Sequence, residues 1–392
     1  MTEHAKDTPN TAQWAIPMRA RSPEEGHRAA TPLELFFDLV FVVAIAQAGS
    51  SLHHALAEGH ATQGVFSFSI VFFAIWWAWM NFTWFASAYD TDDVPYRLAT
   101  FVQLIGALII AAGIPQAFDE LRFPIVTLGY SIMRLSLIGQ WLRAGLADNA
   151  HRASAFRYAI GLGLCQIGWI GLLFASDQWL MVGFVILVLA ELLVPVWAER
   201  VAPSAWHAGH IAERYGLFTI IVLGESILAA SLAIQAALQD GQLSAQLAII
   251  IAGGVLIVFA MWWLYFDRPM DDLLTSLRTA FIWGYGHLFV FAAAAAVGAG
   301  LAVAVDQATH HAEISATAAG AAVAIPVAVY LLVLWLLHER VRAQSGKEMV
   351  LFPATALLIL ISVITGQAVL ITGLLLAGLL VVKLVGRYRE SG

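Results

Sequence analysis

Two acidic residues stand at the head of an apolar stretch, residues 33–47, with the sequence LELFFDLVFVVAIAQ. Glu34 and Asp38 are four positions apart, about 400° around a helix, so they share one helix face. A charge at the centre of a bilayer costs about 2.5–3.5 kcal/mol on insertion scales, and such a side chain is expected to face protein or water and to have a partner. The two acids therefore mark a candidate site for binding or proton exchange.

Each of these acids also has an ordinary explanation. Glu34 lies at the start of the segment, where carboxylates are favourable because the N-terminal end of a helix is positive. Asp38 lies past the first turn, and its ordinary role is an ion pair with an arginine such as Arg97 or Arg278, which would lock helices together.

Four further ionisable residues are expected near the middle of later apolar segments: Arg134, Glu191, Glu225 and His287. Arg134 needs an anion at that depth, and either Glu191 or Glu225 can supply it. The acid that remains can exchange protons or bind a cation, and this surplus favours transport over a purely structural role. The alternative is that these groups form static pairs. His287 fits a proton relay and a satisfied core histidine equally well.

Glu225 is the strongest functional candidate among them. It occurs in the sequence GESIL, between two small residues that allow close helix packing. Arg214 is 11 residues earlier, about 20° away on the same helix face. The sequence therefore predicts that burial and a nearby arginine determine whether the carboxyl group of Glu225 is protonated.

Two acidic loops, DTDDVPYR and DRPMDDLLTSLR, each end at an arginine that begins the next segment. One aspartate in each loop is explained by helix N-capping. The remaining acids are expected to bridge to arginines of neighbouring helices as a latch between two halves of the protein. A Mg²⁺ site is the weaker alternative, because two carboxylates alone give poor ligand geometry. The predicted latch consists of Asp92, Asp93, Arg97, Asp271, Asp272 and Arg278.

The elements that position these residues are predicted to be transmembrane helices. The chain is 12% charged, about half the share in soluble proteins, and its apolar residues come in blocks of about 20. One cysteine, Cys165, excludes an internal disulfide, and no metal-type Cys/His cluster is present. Twelve apolar stretches are predicted: about 33–55, 63–87, 97–117, 123–143, 155–175, 179–198, 209–237, 245–266, 278–304, 316–338, 349–366 and 368–385.

The basic residues predict the orientation of these helices. With this span count, 18 of the 20 lysines and arginines fall on one side, and only Arg122 lies in an opposite loop while Arg134 lies inside a segment. Basic loops stay cytoplasmic, so both termini are predicted inside. Residues 1–30 are expected to form a disordered polar tail, and residues 386–392 form a short basic tail.

The two halves of the chain resemble each other at an offset of about 180 residues. ELFFDLVFVVAIAQ resembles ERYGLFTIIVLGES, IWWAWMNF resembles MWWLYFDR, and the two acidic loops follow in the same order. The pattern predicts a six-plus-six repeat, residues 31–198 and 199–385, related by a parallel pseudo-two-fold axis along the membrane normal.

The segments TPLELFFDLVFVVAIAQ and ERYGLFTIIVLGESI, with the DxDD loop, resemble the bacterial low temperature requirement protein A family. The resemblance covers most of the chain. It implies a multi-span protein of the bacterial inner membrane, named for a growth defect in the cold, and it implies no substrate, cofactor or reaction.

The residues favour a secondary transporter coupled to protons, with an unidentified small molecule or ion as substrate. The alternatives are a lipid- or cofactor-binding membrane protein needed in the cold, and an ion or proton channel. No phosphate loop, nucleophile elbow, dinucleotide fingerprint or HExxH motif indicates an enzyme. The expected partners are the lipid bilayer and a second copy of the chain, and no feature indicates nucleic acid.

Overall fold

A computed structural model of the protein describes residues 14–22, 24–26, 28–239, 241, 244–342 and 346–390. The described residues form helices and connecting segments, with no strand among them. This follows from the apolar sequence, because a helix satisfies its backbone hydrogen bonds internally and can therefore lie in lipid. The prediction of an all-helical protein is confirmed.

Each of the twelve predicted apolar stretches coincides with a helix. The first six are α1 Pro32–Ala57, α2 Ala61–Tyr89, α3 Val94–Glu120, α4 Pro124–Ala147, α5 Arg152–Leu172 and α6 Asp177–Glu199. They are followed by α7 Ala208–Gln239, α8 Ala245–Tyr265, α9 Leu277–Ala308, α10 Ala316–Arg342, α11 Gly346–Ser362 and α12 Ala368–Glu390. A π-helical turn, Trp335–Glu339, interrupts α10 near its end.

Ten of the helices in the described part of the chain are long and apolar enough to cross a membrane, and α4 and α11 are not among them. The polar residues of α4 include Arg134 and Gln140, which are buried inside the protein and lower its hydropathy. The helix α11 is short, and Gly366 separates it from α12. Gly366 has φ +71°, a left-handed conformation that glycine adopts without a Cβ clash, so the chain turns there and α11 and α12 are distinct helices.

The chain divides into two compact units. Unit 1 consists of Met1–Phe37, Met80–Ile110 and Phe123–His207, and unit 2 consists of Asp38–Trp79, Ala111–Arg122 and Ala208–Gly392. In unit 1, α4 packs against α5, which packs against α6. In unit 2, α9 packs between α7 and α10, and α8 packs against α12. The predicted repeat boundary at residues 198 and 199 follows a different division of the chain and stays a prediction.

Candidate functional site

A fully buried ion pair joins α1 to α7 in unit 2. Arg214 donates from Nε to Oδ2 of Asp38 over 3.2 Å, and its Nη2 donates to Oδ1. The indole N–H of Trp79 donates to Oδ1 of Asp38 over 2.7 Å. Both charged side chains have 0% exposure. The ion pair predicted for Asp38 therefore exists, but its partner is Arg214 rather than Arg97 or Arg278.

Aromatic side chains surround this ion pair. Trp79 stacks on Phe218 with ring centroids 4.2 Å apart, and Tyr215 meets Trp79 edge-on at 4.9 Å. The ring of Tyr215 also lies 5.1 Å from that of His287. Aromatic rings around the pair exclude water and lower the local dielectric constant. The attraction between Asp38 and Arg214 is therefore stronger, and a charge left without its partner there would be costly.

His287 lies in the same aromatic cluster and is hydrogen-bonded at both ring nitrogens. Its Nδ1 is 2.7 Å from the carbonyl of Trp283, and its Nε2 is 3.0 Å from the hydroxyl of Tyr265. The indole N–H of Trp283 donates to Nε2 of His338 over 3.1 Å, and both histidines are buried. The contacts of His287 match those of a satisfied core histidine.

Sequence reasoning did not place His338 in this cluster. Adjacent to Glu339 at the end of an apolar run, it has the pattern of a surface ion pair, yet it lies buried beside Trp283. Glu339 instead accepts from Lys383 over 2.8 Å, and Lys383 also lies 3.1 Å from Asp267. His338 lies in the π-helical turn Trp335–Glu339. The hydropathy of the sequence does not indicate this turn, so the burial of His338 was not predicted.

A second buried ion pair lies in unit 1. Arg134 of α4 donates to Glu191 of α6 over 2.8 Å, and both side chains are almost completely buried. Asn81 accepts from the same guanidinium over 3.3 Å, and the hydroxyl of Tyr130 also accepts from it. Trp169 donates to the other oxygen of Glu191 over 3.1 Å. Glu191 is therefore the acid that neutralises Arg134.

Glu225 is placed differently from the other predicted acids. It lies halfway along α7 and is half-buried, and its carboxylate makes no hydrogen bond or ion pair with any other described residue. Its neighbour Ser226 faces α9, where its hydroxyl donates to the carbonyl of Ala294 over 2.8 Å. Arg214, predicted on the same face as Glu225, binds Asp38 instead.

Glu34 is part of the N-terminal cap of α1. Its carboxylate accepts from the backbone N–H of Thr31 over 2.8 Å, and the hydroxyl of Thr31 accepts from the N–H of Glu34 over 3.3 Å. This reciprocal arrangement is a capping box, which satisfies free donors at a helix start. The position of Glu34 thus agrees with its ordinary explanation.

The acidic residues predicted as a latch divide into two groups. In unit 1, Asp92 pairs with Arg97 at 2.7 Å on the surface, and Asp93 pairs with Arg143 of α4. Burial opposes ionisation of Asp93, but hydrogen bonds from Arg143 and from backbone N–H groups hold its pKa below the usual range. In unit 2, three exposed residues make no side-chain hydrogen bond or ion pair within the described part of the chain: Asp271, Asp272 and Arg278.

The structure therefore brings Asp38 together with Arg214, and Arg134 together with Glu191, while Glu225 stands apart. Over the residues that the structure describes, no three His, Cys, Asp or Glu side chains are grouped so that they could hold a metal ion. The arrangement can hold fixed internal charges and can exchange a proton at one carboxylate.

Comparisons with known proteins show which sequences this chain resembles. The sequence model of the bacterial low temperature requirement A protein family matches residues 29–385. An uncharacterized protein of Rhizobium meliloti (strain 1021) is 28% identical over 274 residues, which cover 65% of this chain and 64% of the relative. The chain thus spans just under two thirds of that relative's length.

Proposed function

Because this chain belongs to the bacterial low temperature requirement A family and is a multi-span membrane protein, we propose that it is a secondary transporter coupled to protons. In this proposal Glu225 exchanges the proton, and each of the two buried ion pairs supplies fixed charges that hold together the helices of its own unit. The substrate is an ion or small molecule.

The proposal rests on which charged residues of the apolar helices form ion pairs and which one does not. Arg134 has Glu191 as its partner, and Arg214 has Asp38. Glu225 lacks a basic partner among the described residues and keeps part of its side chain accessible. An ionisable residue inside a membrane segment is costly, and such residues mostly have a partner or a function. A half-buried carboxylate can change its protonation state without breaking an existing pair.

The proposal includes the topology predicted from the sequence. We infer twelve membrane segments, with α4 and α11 included because their polar or short sequences are shielded by neighbouring helices. Both termini lie in the cytoplasm, the membrane is the bacterial inner membrane, and the two six-helix halves form a parallel repeat. The uneven distribution of basic residues and the three ordered motif matches support this arrangement.

The test is proton flux in reconstituted liposomes. Wild-type protein is reconstituted with a pH-sensitive dye inside, and a membrane potential is imposed with and without candidate solutes. Glu225→Gln should abolish proton movement while keeping the melting temperature of the wild type. Glu58→Gln, which changes an exposed loop acid, is the control and should retain flux. Equal flux in Glu225→Gln and wild type would remove Glu225 from the mechanism.

A second candidate is a membrane protein that does not transport but binds lipid or provides a scaffold. The complete burial and pairing of Asp38, Arg214 and His287 favours it, because such contacts suit rigid support. Under this candidate, wild type stays silent across a broad solute screen, and native mass spectrometry of the purified protein detects a bound lipid.

A further inference from the structure

The described residues before α1 are held on unit 1 by specific hydrogen bonds, although none of them lies in a helix or strand. The described positions are 14–22, 24–26 and 28–30, here named the strap. Its sequence is polar and contains proline, which predicted a disordered tail. In the structure Met18 is completely buried and Arg28 is 6% exposed.

The first part of the strap binds one end of each of two helices, the start of α3 and the end of α4. The N–H of Ile16 donates to Asp93 over 2.9 Å, and the carbonyl of Ile16 accepts from Arg143 over 2.7 Å. Four residues later, the N–H of Ala20 donates to Asp148 over 3.1 Å. Asp93 immediately precedes α3, and Asp148 immediately follows α4. The strap therefore connects the start of α3 to the end of α4.

The second part of the strap binds the end of α2. The N–H of Arg21 donates to the carbonyl of Ala88 over 2.9 Å. The guanidinium of Arg28 donates to the carbonyls of Ala86, at 2.9 Å, and Ser87. The last carbonyls of a helix have no partner within the helix, so an arginine at this position stabilises the end.

The strap is nonetheless attached more weakly than the helices. Between residues 14 and 22, Met18 alone is buried, while Pro17 and Arg19 are exposed. An open groove of about 420 Å³ is lined by Ile16, Pro17 and Met18 of the strap and by five residues of α4: Gly139, Leu142, Arg143, Leu146 and Ala147. A segment with one buried apolar anchor and few packing contacts belongs to the least stable part of a fold.

We propose that the strap is a detachable clamp that closes the end of unit 1 where α2 and α4 end and α3 begins. Arg143, which binds the strap, is nine residues from Arg134 on α4, about 14 Å along the helix. While the strap is bound, α3 and α4 are tied together at this end of the Arg134–Glu191 cluster. Release of the strap removes this second link between the helix ends and leaves the direct Asp93–Arg143 ion pair in place.

Most of the hydrogen bonds that hold the strap involve a charged side chain, and these bonds persist at neutral pH. The Asp148 carboxylate accepts from His151 and from the strap, and these bonds outweigh burial and hold its pKa below the usual range. The same direction holds for Asp93. Substitution of both acids by asparagine therefore removes the ionic part of the attachment, and it keeps a good N-cap at the start of α3.

The test is hydrogen exchange measured by mass spectrometry on the full-length protein in detergent. In wild type, the peptide containing Ile16, Ala20 and Arg21 should exchange slowly. In Asp93→Asn/Asp148→Asn it should exchange at least about tenfold faster, because charged hydrogen bonds are lost. Peptides from α2, α3 and α4 should keep their rates.

A matched control and an independent readout complete the test. Asp92→Asn changes the adjacent acid, which binds Arg97 and not the strap, and should leave exchange of the strap unchanged. Met18→Ser should release the strap without altering either acid, and trypsin should then cleave after Arg19 about tenfold faster. Rapid exchange of the strap in wild type would overturn the proposal, as would loss of protection in α3 and α4 together with the strap.

Discussion

At the scale of single residues, two buried arginines have carboxylate partners, whereas Glu225 has no basic partner among the described residues. Arg134 is satisfied by Glu191, Asn81 and Tyr130, and Arg214 is satisfied in part by Asp38. Burying an ion pair costs desolvation energy that the attraction between the charges only partly offsets, but removing one partner leaves a buried charge and costs more. Paired acids are therefore poorly suited to change their charge, and Glu225 is suited to it.

Substitution of Glu191 tests the cost of an unmatched charge. Glu191→Gln should destabilise the protein by about 3–5 kcal/mol, because Arg134 remains buried without an anion. Thermal unfolding in detergent measures the loss. The double variant Arg134→Met/Glu191→Met should recover part of it, and Glu58→Gln, which alters an exposed pair, should change stability little. A single variant as stable as wild type would show that the pair contributes nothing.

Asp90, just after α2, makes the folding stability of the protein depend on pH. Burial and the nearby charge of Glu34 raise its pKa to about 7, while Arg28 partly opposes the rise. Between about pH 4 and 7 the folded state keeps this proton and the unfolded state loses it, so folding stability falls as pH rises and the full cost is present above about pH 7.

Asp90→Asn should remove this dependence. Its melting temperature should exceed that of wild type at pH 8, and the difference should shrink as the pH falls towards 4. Asp92→Asn, at an exposed acid of the same loop, should follow the wild-type profile. Parallel wild-type and Asp90→Asn profiles across this range would contradict the assignment.

At the scale of helices, small residues set the distance between neighbours. α7 and α9 meet where Ser226 lies against Gly298, and a Cβ on Gly298 would stand 2.6 Å from the Cα of Ser226. Helices in membranes associate through such close contacts, because lipid offers no hydrophobic driving force between them. The contact fixes the turn of α7 that carries Glu225.

Gly298→Ala should therefore destabilise the protein by about 1–3 kcal/mol, because the backbone of α7 must move away. Gly224→Ala is the matched control, since a Cβ there meets nothing within 4 Å. It should leave the melting temperature unchanged or raise it, as alanine is favoured over glycine inside a helix by about 1 kcal/mol. Thermal unfolding of both variants measures the difference. Equal melting temperatures would show that α7 and α9 have room for a methyl group at residue 298.

At the scale of the whole molecule, the charge distribution predicts the orientation in the membrane. Eighteen of the 20 basic residues fall on the side assigned to the termini. Cys165 is buried, so the protein offers a low background for cysteine labelling. Single cysteines at Ser22 and Ser391 should react with a membrane-impermeant maleimide from the cytoplasmic side, and a cysteine at Glu58 from the opposite side. Labelling of all three from one side would refute the topology.

Several properties of this protein were readable from the sequence because they depend on local composition. The positions of the helices follow from apolar runs of about 20 residues. Membership of the family follows from motifs such as LELFFDLVF, and the cap at Glu34 follows from its place at a helix start. Each of these signals lies within a few tens of consecutive residues, so no knowledge of the packing is needed.

Only the tertiary structure decided which charges meet. Asp38 and Arg214 are 176 residues apart, and nothing in either segment specifies the other. The matching motifs at Trp76 and Trp262 also differ, because the first side chain is buried and the second is 47% exposed. A side chain's partner depends on how distant helices pack and rotate. That packing assigned Glu191 to Arg134, left Glu225 without a partner among the described residues, and bound the strap to Asp93 and Asp148.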